Sequence, residues 1–189
     1  MKPIVLDLCC GLGGWSGGFI AEGWDAVGVD LADFSKSYPG RFIQADLLAW
    51  HGWREIDFSM VVASPPCEEF SRWTMPWTRA KNPPWPSLCL WRRCEDIARW
   101  KKVPLILENV RGAQSFVTRS KNHCGPFHLW GDVPAILPDF HGKTKESFGS
   151  KQRAERAKIP DNLARHVARV FLPSPSLSQS HNSDGFIKS

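Results

Sequence analysis

Short apolar runs alternate with helix-length connections along the first 110 residues. Ile4 to Leu8 is strand-length and apolar apart from one acid, Asp7. Asp25 to Val29, Arg41 to Ala45, Phe58 to Ala63 and Leu105 to Leu107 repeat the pattern, and an acid or a proline closes each of them within a few residues. Between these runs, Trp15 to Glu22 and Ser87 to Lys101 read as helices. Strands alternating with helical crossovers predict an α/β fold with a mostly parallel sheet. Phe127 to Trp130 reads as a sixth strand. Residues 151–171 read as a helix interrupted near Pro160, with Leu163, Val167, Val170 and Phe171 on one face and basic residues opposite. Ligands of such sheets bind outside the carboxyl ends of the strands. Asp7, Asp30, Asp46, Cys67 and Glu108 all fall at or just beyond those ends, so one crevice is expected to gather them.

Composition narrows the class. A chain of 189 residues, 42% hydrophobic and 23% charged, excludes global disorder, collagen and coiled coil. It is expected to form a single domain over residues 1–172, followed by a disordered Ser- and Pro-rich tail over 173–189. No apolar run approaches the ~18 residues of a membrane span. The N-terminal run is too short and too acidic for a signal peptide. Six cysteines, two of them adjacent at Cys9 and Cys10, do not form the framework of a secreted domain. A cytoplasmic protein is the expectation. Net charge is +5, and there are ten tryptophans against one tyrosine. That combination suits a nucleic-acid partner. It concentrates between Arg72 and Lys102, where eight Lys or Arg and five Trp accompany two acids. Arg72, Trp73, Arg79 and Lys81 are the expected nucleic-acid contacts of this segment, while Trp91 and Trp100, on a predicted helix, are expected in the core. His123, Cys124, His128 and His141 lie close in sequence without the spacing of a metal site, so no metal is expected.

Three segments carry chemistry. Asp7-Leu8-Cys9-Cys10-Gly11-Leu12-Gly13-Gly14 turns from a strand into a helix, and its glycines let backbone approach a ligand closely. Asp30, at the next strand end, suits a pair of ribose hydroxyls. The turn has neither GxGxxG nor a Gly-Lys-Ser/Thr sequel, so it does not favour a dinucleotide or a phosphate loop. Ser64-Pro65-Pro66-Cys67-Glu68-Glu69-Phe70-Ser71 must leave the sheet as a stiff loop, since two prolines fix φ and withhold two amide donors. Its cysteine is a candidate nucleophile, which requires the thiolate. Glu68 and Glu69 raise a thiol pKa if they point inward. Glu108-Asn109-Val110 places a carboxyl at a strand end, suited to hydrogen-bonding a heterocycle.

In order, DLCCGLGGWSGGF, the strand-end Asp30, ADL at 45–47, SPPCEEFSR at 64–72 and ENV at 108–110 resemble the cytosine-5 DNA methyltransferases, whose motifs run as DLFxGxGG, an acid, an Asp, PPCQxFS and ENV. Ile159-Pro160-Asp161-Asn162-Leu163-Ala164 is similar to a shortened form of the last family motif, and compact phage and bacterial members often carry ENVRGAQ, as here at 108–114. The resemblance implies a Rossmann-like class I fold, a mostly parallel sheet with helices on both faces. It implies S-adenosylmethionine as cofactor and transfer of a methyl group to carbon 5 of cytosine in DNA, duplex or single-stranded, with low or short sequence specificity. It assigns Cys67 as the nucleophile and Glu108 as the proton donor. Asp7, Gly11, Gly13, Gly14 and Trp15 would line the methionine side of the cofactor, Asp30 the ribose and Asp46 the adenine, with Cys9, Leu31, Leu47 and Pro65 completing the pocket.

The chain departs from the family in three places. Cys9 stands where the family has an aromatic that stacks on adenine, so Trp15 or Phe34 would have to replace it. Glu68 stands for the glutamine of PPCQ. Asn122-His123-Cys124-Gly125-Pro126 replaces QxRxR without an arginine, leaving Arg111 or Arg119 as substitutes. Family members also carry a large recognition domain before the last motif, which makes a separate specificity subunit an expected partner. Three other readings stay open at this level: the same chemistry on tRNA, a non-catalytic nucleic-acid-binding subunit, and an amino-group methyltransferase.

Overall fold

The computed structural model describes residues 1–139 and 158–173. The expected tail and the stretch 140–157, His141 included, lie outside the described residues, apart from Pro173. The strands are β1 (Ile4–Leu8), β2 (Asp25–Asp30), β3 (Arg41–Gln44), β4 (Met60–Ala63), β5 (Leu105–Asn109), β6 (Asn122–Cys124) and β7 (Phe127–Gly131). They form one sheet in the order β3-β2-β1-β4-β5-β7-β6, in which β1 to β5 are parallel and β7 runs antiparallel to β5 and β6. This is the Rossmann-like α/β arrangement expected from the sequence. β1 and β4 lie inside the sheet, and all but one of their residues are buried, as strands covered on both faces must be.

The helices are α1 (Gly14–Ala21), α2 (Glu68–Thr74), α3 (Pro76–Arg79), α4 (Cys89–Lys101) and α5 (Asp161–Phe171), with short 3-10 turns at Gly52–Glu55 and Arg111–Ser115. They cover both faces. On one, Leu6, Leu8, Val61, Ala63 and Leu107 pack with Phe70 and with Trp91, Cys94, Ile97 and Ala98 of α4. On the other, Val5, Met60, Val62 and Ile106 pack with Trp15, Phe19 and the α5 residues Leu163, Ala164, Val167 and Ala168. The apolar stripes follow the i, i+3, i+4 spacing of helices. Val170 was expected on the buried stripe of α5 but is 53% exposed, because Ala164 and Ala168 occupy that face. Trp100 was expected in the core and is 59% exposed, resting edge-on against Trp53 at 5.0 Å. Among the described residues, no helix is long and apolar enough to cross a membrane.

Three elements differ from the sequence reading. α2 and α3 occupy a stretch read as loop. β6, which the sequence reading did not give, forms a hairpin with the expected strand β7 around Gly125, whose φ is +56°. β5 continues two residues past Leu107, so Glu108 and Asn109 belong to the strand itself.

α5 closes the structure against α1, and small residues set the approach. A Cβ on Gly14 would stand 2.5 Å from the Ile159 amide nitrogen, and one on Gly18 would overlap the Ala164 methyl and the Arg165 backbone. Glu22, at the end of α1, is gripped by Arg165 at 2.6 Å and by Arg169 at 2.8 Å, which hold its carboxyl down at about 2. Gly18→Val should therefore force the two helices apart and cost about 1–3 kcal/mol. Chemical denaturation of the variant should show a lower midpoint, and an unchanged midpoint would contradict this packing.

Candidate active site

The parallel strands bring their carboxyl ends to one edge. Ala63 of β4 pairs with Leu107 of β5, so the chain leaves β4 at Ser64 beside Glu108. Asn109, 1% exposed, donates its side-chain amide to the Pro65 carbonyl at 2.8 Å. This bond ties the proline loop to the tip of the next strand, replacing a pairing that the prolines cannot supply. Cys67 then sits at the start of α2, partly buried, and Glu108 is buried at the neighbouring tip. Burial raises the Cys67 thiol pKa, and the Glu68 and Glu108 carboxylates raise it further, against a hydrogen bond from the Ser71 side chain. The pair expected from the sequence is thus within electrostatic reach. Glu69 points elsewhere, accepting the Ser87 amide at 2.5 Å and tying α2 to the approach to α4. Of the two flanking acids, only Glu68 opposes the thiolate.

The glycine turn shapes the opposite end of the edge. Gly11 and Gly13 have φ of +49° and +72°, a conformation that side chains resist. Cys9, at φ +53°, shares it and carries the local strain. A Cβ on Gly11 would stand in open space, so its absence leaves room at the turn. The Gly11 amide donates to the Asp30 carboxylate at 3.0 Å, and Ala32 donates to its other oxygen at 3.0 Å. Asp46 is exposed and caps its own turn through the Leu48 amide at 3.0 Å, while Leu47 is core. Leu31 is 72% exposed at the rim, beyond Asp30. Pro65 is buried under the loop. Trp15 is 2% exposed and donates its indole N–H to Ser64 at 3.2 Å, so it braces the two loops from beneath and presents no stacking face. Phe34, half-buried, rests edge-on against Phe42.

Asp7 lies within β1 and faces α1. It is 1% exposed; one oxygen accepts the Ser16 hydroxyl at 2.7 Å and the Tyr38 hydroxyl at 3.5 Å, and the other has no partner. The Ser16 and Tyr38 hydroxyls also meet each other. Tyr38 occupies the space that a side chain at Gly28 would fill. Burial pushes the Asp7 carboxyl up to about 7 despite its two donors. Ser16 lay within a quoted motif, but nothing in the sequence marked Tyr38, and Asn109 was read only as part of ENV.

A cleft of about 1400 Å³ flanks this edge. One wall is Ser71, Thr74 and Met75 of α2 and its connection; the other is formed by Val110 to Gly112 and by residues 119–123 with His128. Arg111, Arg119, Lys121, His123 and His128 line it, and no acid does among the described residues. His123 and His128 stack with ring centroids 5.0 Å apart, and His128 meets the Ser120 hydroxyl at 2.9 Å. Burial, His123 and Arg111 hold His128 below the ordinary histidine range. Both arginines named as substitutes for the absent motif therefore border one basic cleft. Arg72, Arg79 and Lys81 are exposed on α2, α3 and the following turn, outside it. Much of the remaining charge in the basic segment is structural. Arg93 donates to the Leu47 and Trp50 carbonyls, and Lys101 to those of Arg54 and Ile56.

No protein-family model matches the chain, and no curated protein does. Solved structures similar to it include a mutant of DNMT2 from Spodoptera frugiperda (20% identity, TM-score 0.44), the S. pombe Dnmt2 methyltransferase (16%, 0.42) and the Entamoeba histolytica methyltransferase EhMeth (14%, 0.41). The matches cover 62%, 60% and 62% of this chain and 38%, 36% and 41% of those proteins. The chain thus spans about two fifths of their length. The strand order, with the reversed strand β7 between β5 and β6 at the edge, is a Rossmann-like α/β arrangement.

Two measurements test this geometry. Cys67 should be alkylated by iodoacetamide slowly at neutral pH, with a rate that rises at higher pH than for an ordinary thiol; Glu68→Gln should shift the profile toward neutral, as peptide mapping would resolve. A Glu68→Gln profile identical to wild type would separate the two groups. For Asp7, ionisation is disfavoured in the folded state, so stability should fall as pH rises from about 4 to about 7. Asp7→Asn should flatten that slope in urea titrations at successive pH values; an equal slope would contradict the buried carboxyl.

Proposed function

We propose that the protein transfers a methyl group from S-adenosylmethionine to carbon 5 of a cytosine in DNA, through a covalent adduct on Cys67. The observation that carries this reading is the pairing of Cys67 and Glu108 on adjacent strand tips, held together by Asn109 and Pro65. A carbon-5 methylation needs both. Carbon 5 of cytosine is a weak nucleophile. Addition of a thiolate to carbon 6 breaks the ring's 5,6 double bond and moves its electrons toward N3, leaving an enamine that is nucleophilic at carbon 5. A proton delivered to N3 by Glu108 lowers the barrier of that addition. Afterwards the proton on carbon 5 is lost, the Cys67–carbon bond breaks, and the ring is restored.

The turn around Asp7 fits the proposed cofactor. Gly11 leaves open space where any other residue would place a Cβ, and Asp7 keeps one buried oxygen unpartnered. Gly11 and Asp7 would hold the amino-acid end, with Asp30, Leu31 and Asp46 toward the nucleoside; the spaces beside Gly13 and Gly14, also expected there, are filled by Tyr38 and Pro39 and by Ile159. When bound, S-adenosylmethionine supplies an electrophilic methyl group on a sulfonium. The carboxylate of Asp30 now engaged by Gly11 and Ala32 is pre-positioned by those amides and keeps lone pairs for hydroxyl donors. Burial and the Glu68 and Glu108 carboxylates disfavour the Cys67 thiolate in the free protein, so its formation needs a proton acceptor and nearby positive charge. The basic cleft beside α2 brings such charge, and Arg111 and Arg119 in it are the proposed substitutes for the arginine that contacts the target base. A base inside a duplex has to leave the stack to reach this edge.

Incubation with methyl-labelled S-adenosylmethionine and either DNA or tRNA, followed by digestion, identifies the modified base. Label on carbon 5 of DNA cytosine, abolished by Cys67→Ser and reduced about 10²- to 10⁴-fold by Glu108→Gln, is the expected result. Label confined to RNA, label on an exocyclic amine, or cofactor binding without transfer would each overturn it.

A further inference from the structure

We propose that the basic cleft and the aromatic cluster on its rim together hold an unpaired stretch of a DNA strand, with phosphates in the cleft and a base against the exposed face of Trp85. The inference rests on the nucleic-acid substrate proposed above and assigns the form in which it is taken. Trp85 is 75% exposed. An indole this open is held in place from behind: its ring lies 5.4 Å from Trp73 and 5.5 Å from Phe116, and Trp73 lies 5.9 Å from Phe116. The Trp73 indole N–H also donates to the Pro84 carbonyl at 3.0 Å. Pro83, Pro84 and Pro86 flank Trp85 and stiffen its loop. The result is a rigid aromatic face turned to solvent, with little ordering left to lose on binding.

The cluster is joined to the cleft wall through adjacent residues of the chain. Trp73 precedes Thr74, and Phe116 follows Ser115, and both Thr74 and Ser115 line the cleft. Within the cleft, Arg111, Arg119 and Lys121 supply positive charge, and among the described residues no carboxylate lines it. Cationic grooves bordered by stacking platforms are how proteins hold single strands, because the phosphates are read by charge and every base offers a π-face. A base in a duplex has both faces covered by its neighbours and offers none to Trp85. Ser71 belongs to both the cleft wall and the surroundings of the Cys67 thiol, so a strand in the cleft runs past the nucleophile.

Fluorescence anisotropy without cofactor tests this, using a short labelled oligothymidylate, a duplex of the same length and an oligouridylate. These probes contain no cytosine. Failure here would therefore leave the methyl-transfer reading standing, and failure of methyl transfer would leave this one standing. Oligothymidylate should bind at least ~10-fold more tightly than the duplex. Trp85→Ala should weaken it by about 5- to 100-fold, and Trp85→Phe, which keeps a flat ring, should retain most of the affinity. Arg119→Glu with Lys121→Glu should weaken binding and flatten its salt dependence. Duplex bound as tightly as the single strand, oligouridylate bound more tightly than oligothymidylate, or a Trp85→Ala variant with unaltered melting and unaltered affinity would each overturn the proposal.

Discussion

The hydrogen bond from Asn109 to the Pro65 carbonyl governs the candidate site, because it couples two strand tips that backbone pairing alone cannot join. The parallel ladder between β4 and β5 ends at Ala63 and Leu107. Beyond it, two prolines remove the donors that would extend the pairing, and the chain is free to diverge. A buried side-chain amide on the partner strand takes over. It sets where the loop turns, and so where α2 begins and where Cys67 stands relative to Glu108. Loss of such a buried bond leaves a carbonyl unsatisfied in the core, which makes the arrangement stiff.

Electrostatics at this edge pull in two directions. Glu68 and Glu108 place negative charge beside the thiol, whereas the ionisable side chains described along the neighbouring cleft are those of arginine, lysine and histidine. In the free protein both the burial of Cys67 and the two carboxylates beside it disfavour the thiolate. The Asp7, Ser16 and Tyr38 cluster has the same character at the other end of the edge. There a buried carboxyl with one unused oxygen is held near neutrality in pH terms by its burial. Both ends of the edge are polarised in advance of any ligand, a pattern found at functional sites more often than in structural cores.

The basic segment between Arg72 and Lys102 divides by element. On α4 the cations hold the helix against the loop at 47–56 through backbone carbonyls. On α2, α3 and the turn after them, Arg72, Arg79 and Lys81 stay exposed, and Trp73 and Trp85 assemble with Phe116 into an open cluster. Equal residue types thus take unequal roles, according to whether a carbonyl-bearing loop or solvent lies opposite.

The alternation of apolar runs and crossovers was enough to reveal the α/β architecture, since a strand buried on both faces and an amphipathic helix each leave a distinct periodicity. The order of the Asp7, Asp30, Cys67 and Glu108 segments was equally legible, because glycine, proline and acids at strand ends have local causes. Tertiary structure decided what depends on partners far away in sequence. Trp15 is buried beneath Ser64, to which its indole donates, and Trp100 lies outside because Trp91, Cys94, Ile97 and Ala98 form the buried stripe of α4. Tyr38 joined Asp7 because Gly28 made room for it, and the two candidate arginines came to a common cleft because β6 and β7 fold back beside β5. Local pattern encodes which residues form a strand and where it stops; the space and charge opposite each side chain exist only once the sheet is assembled.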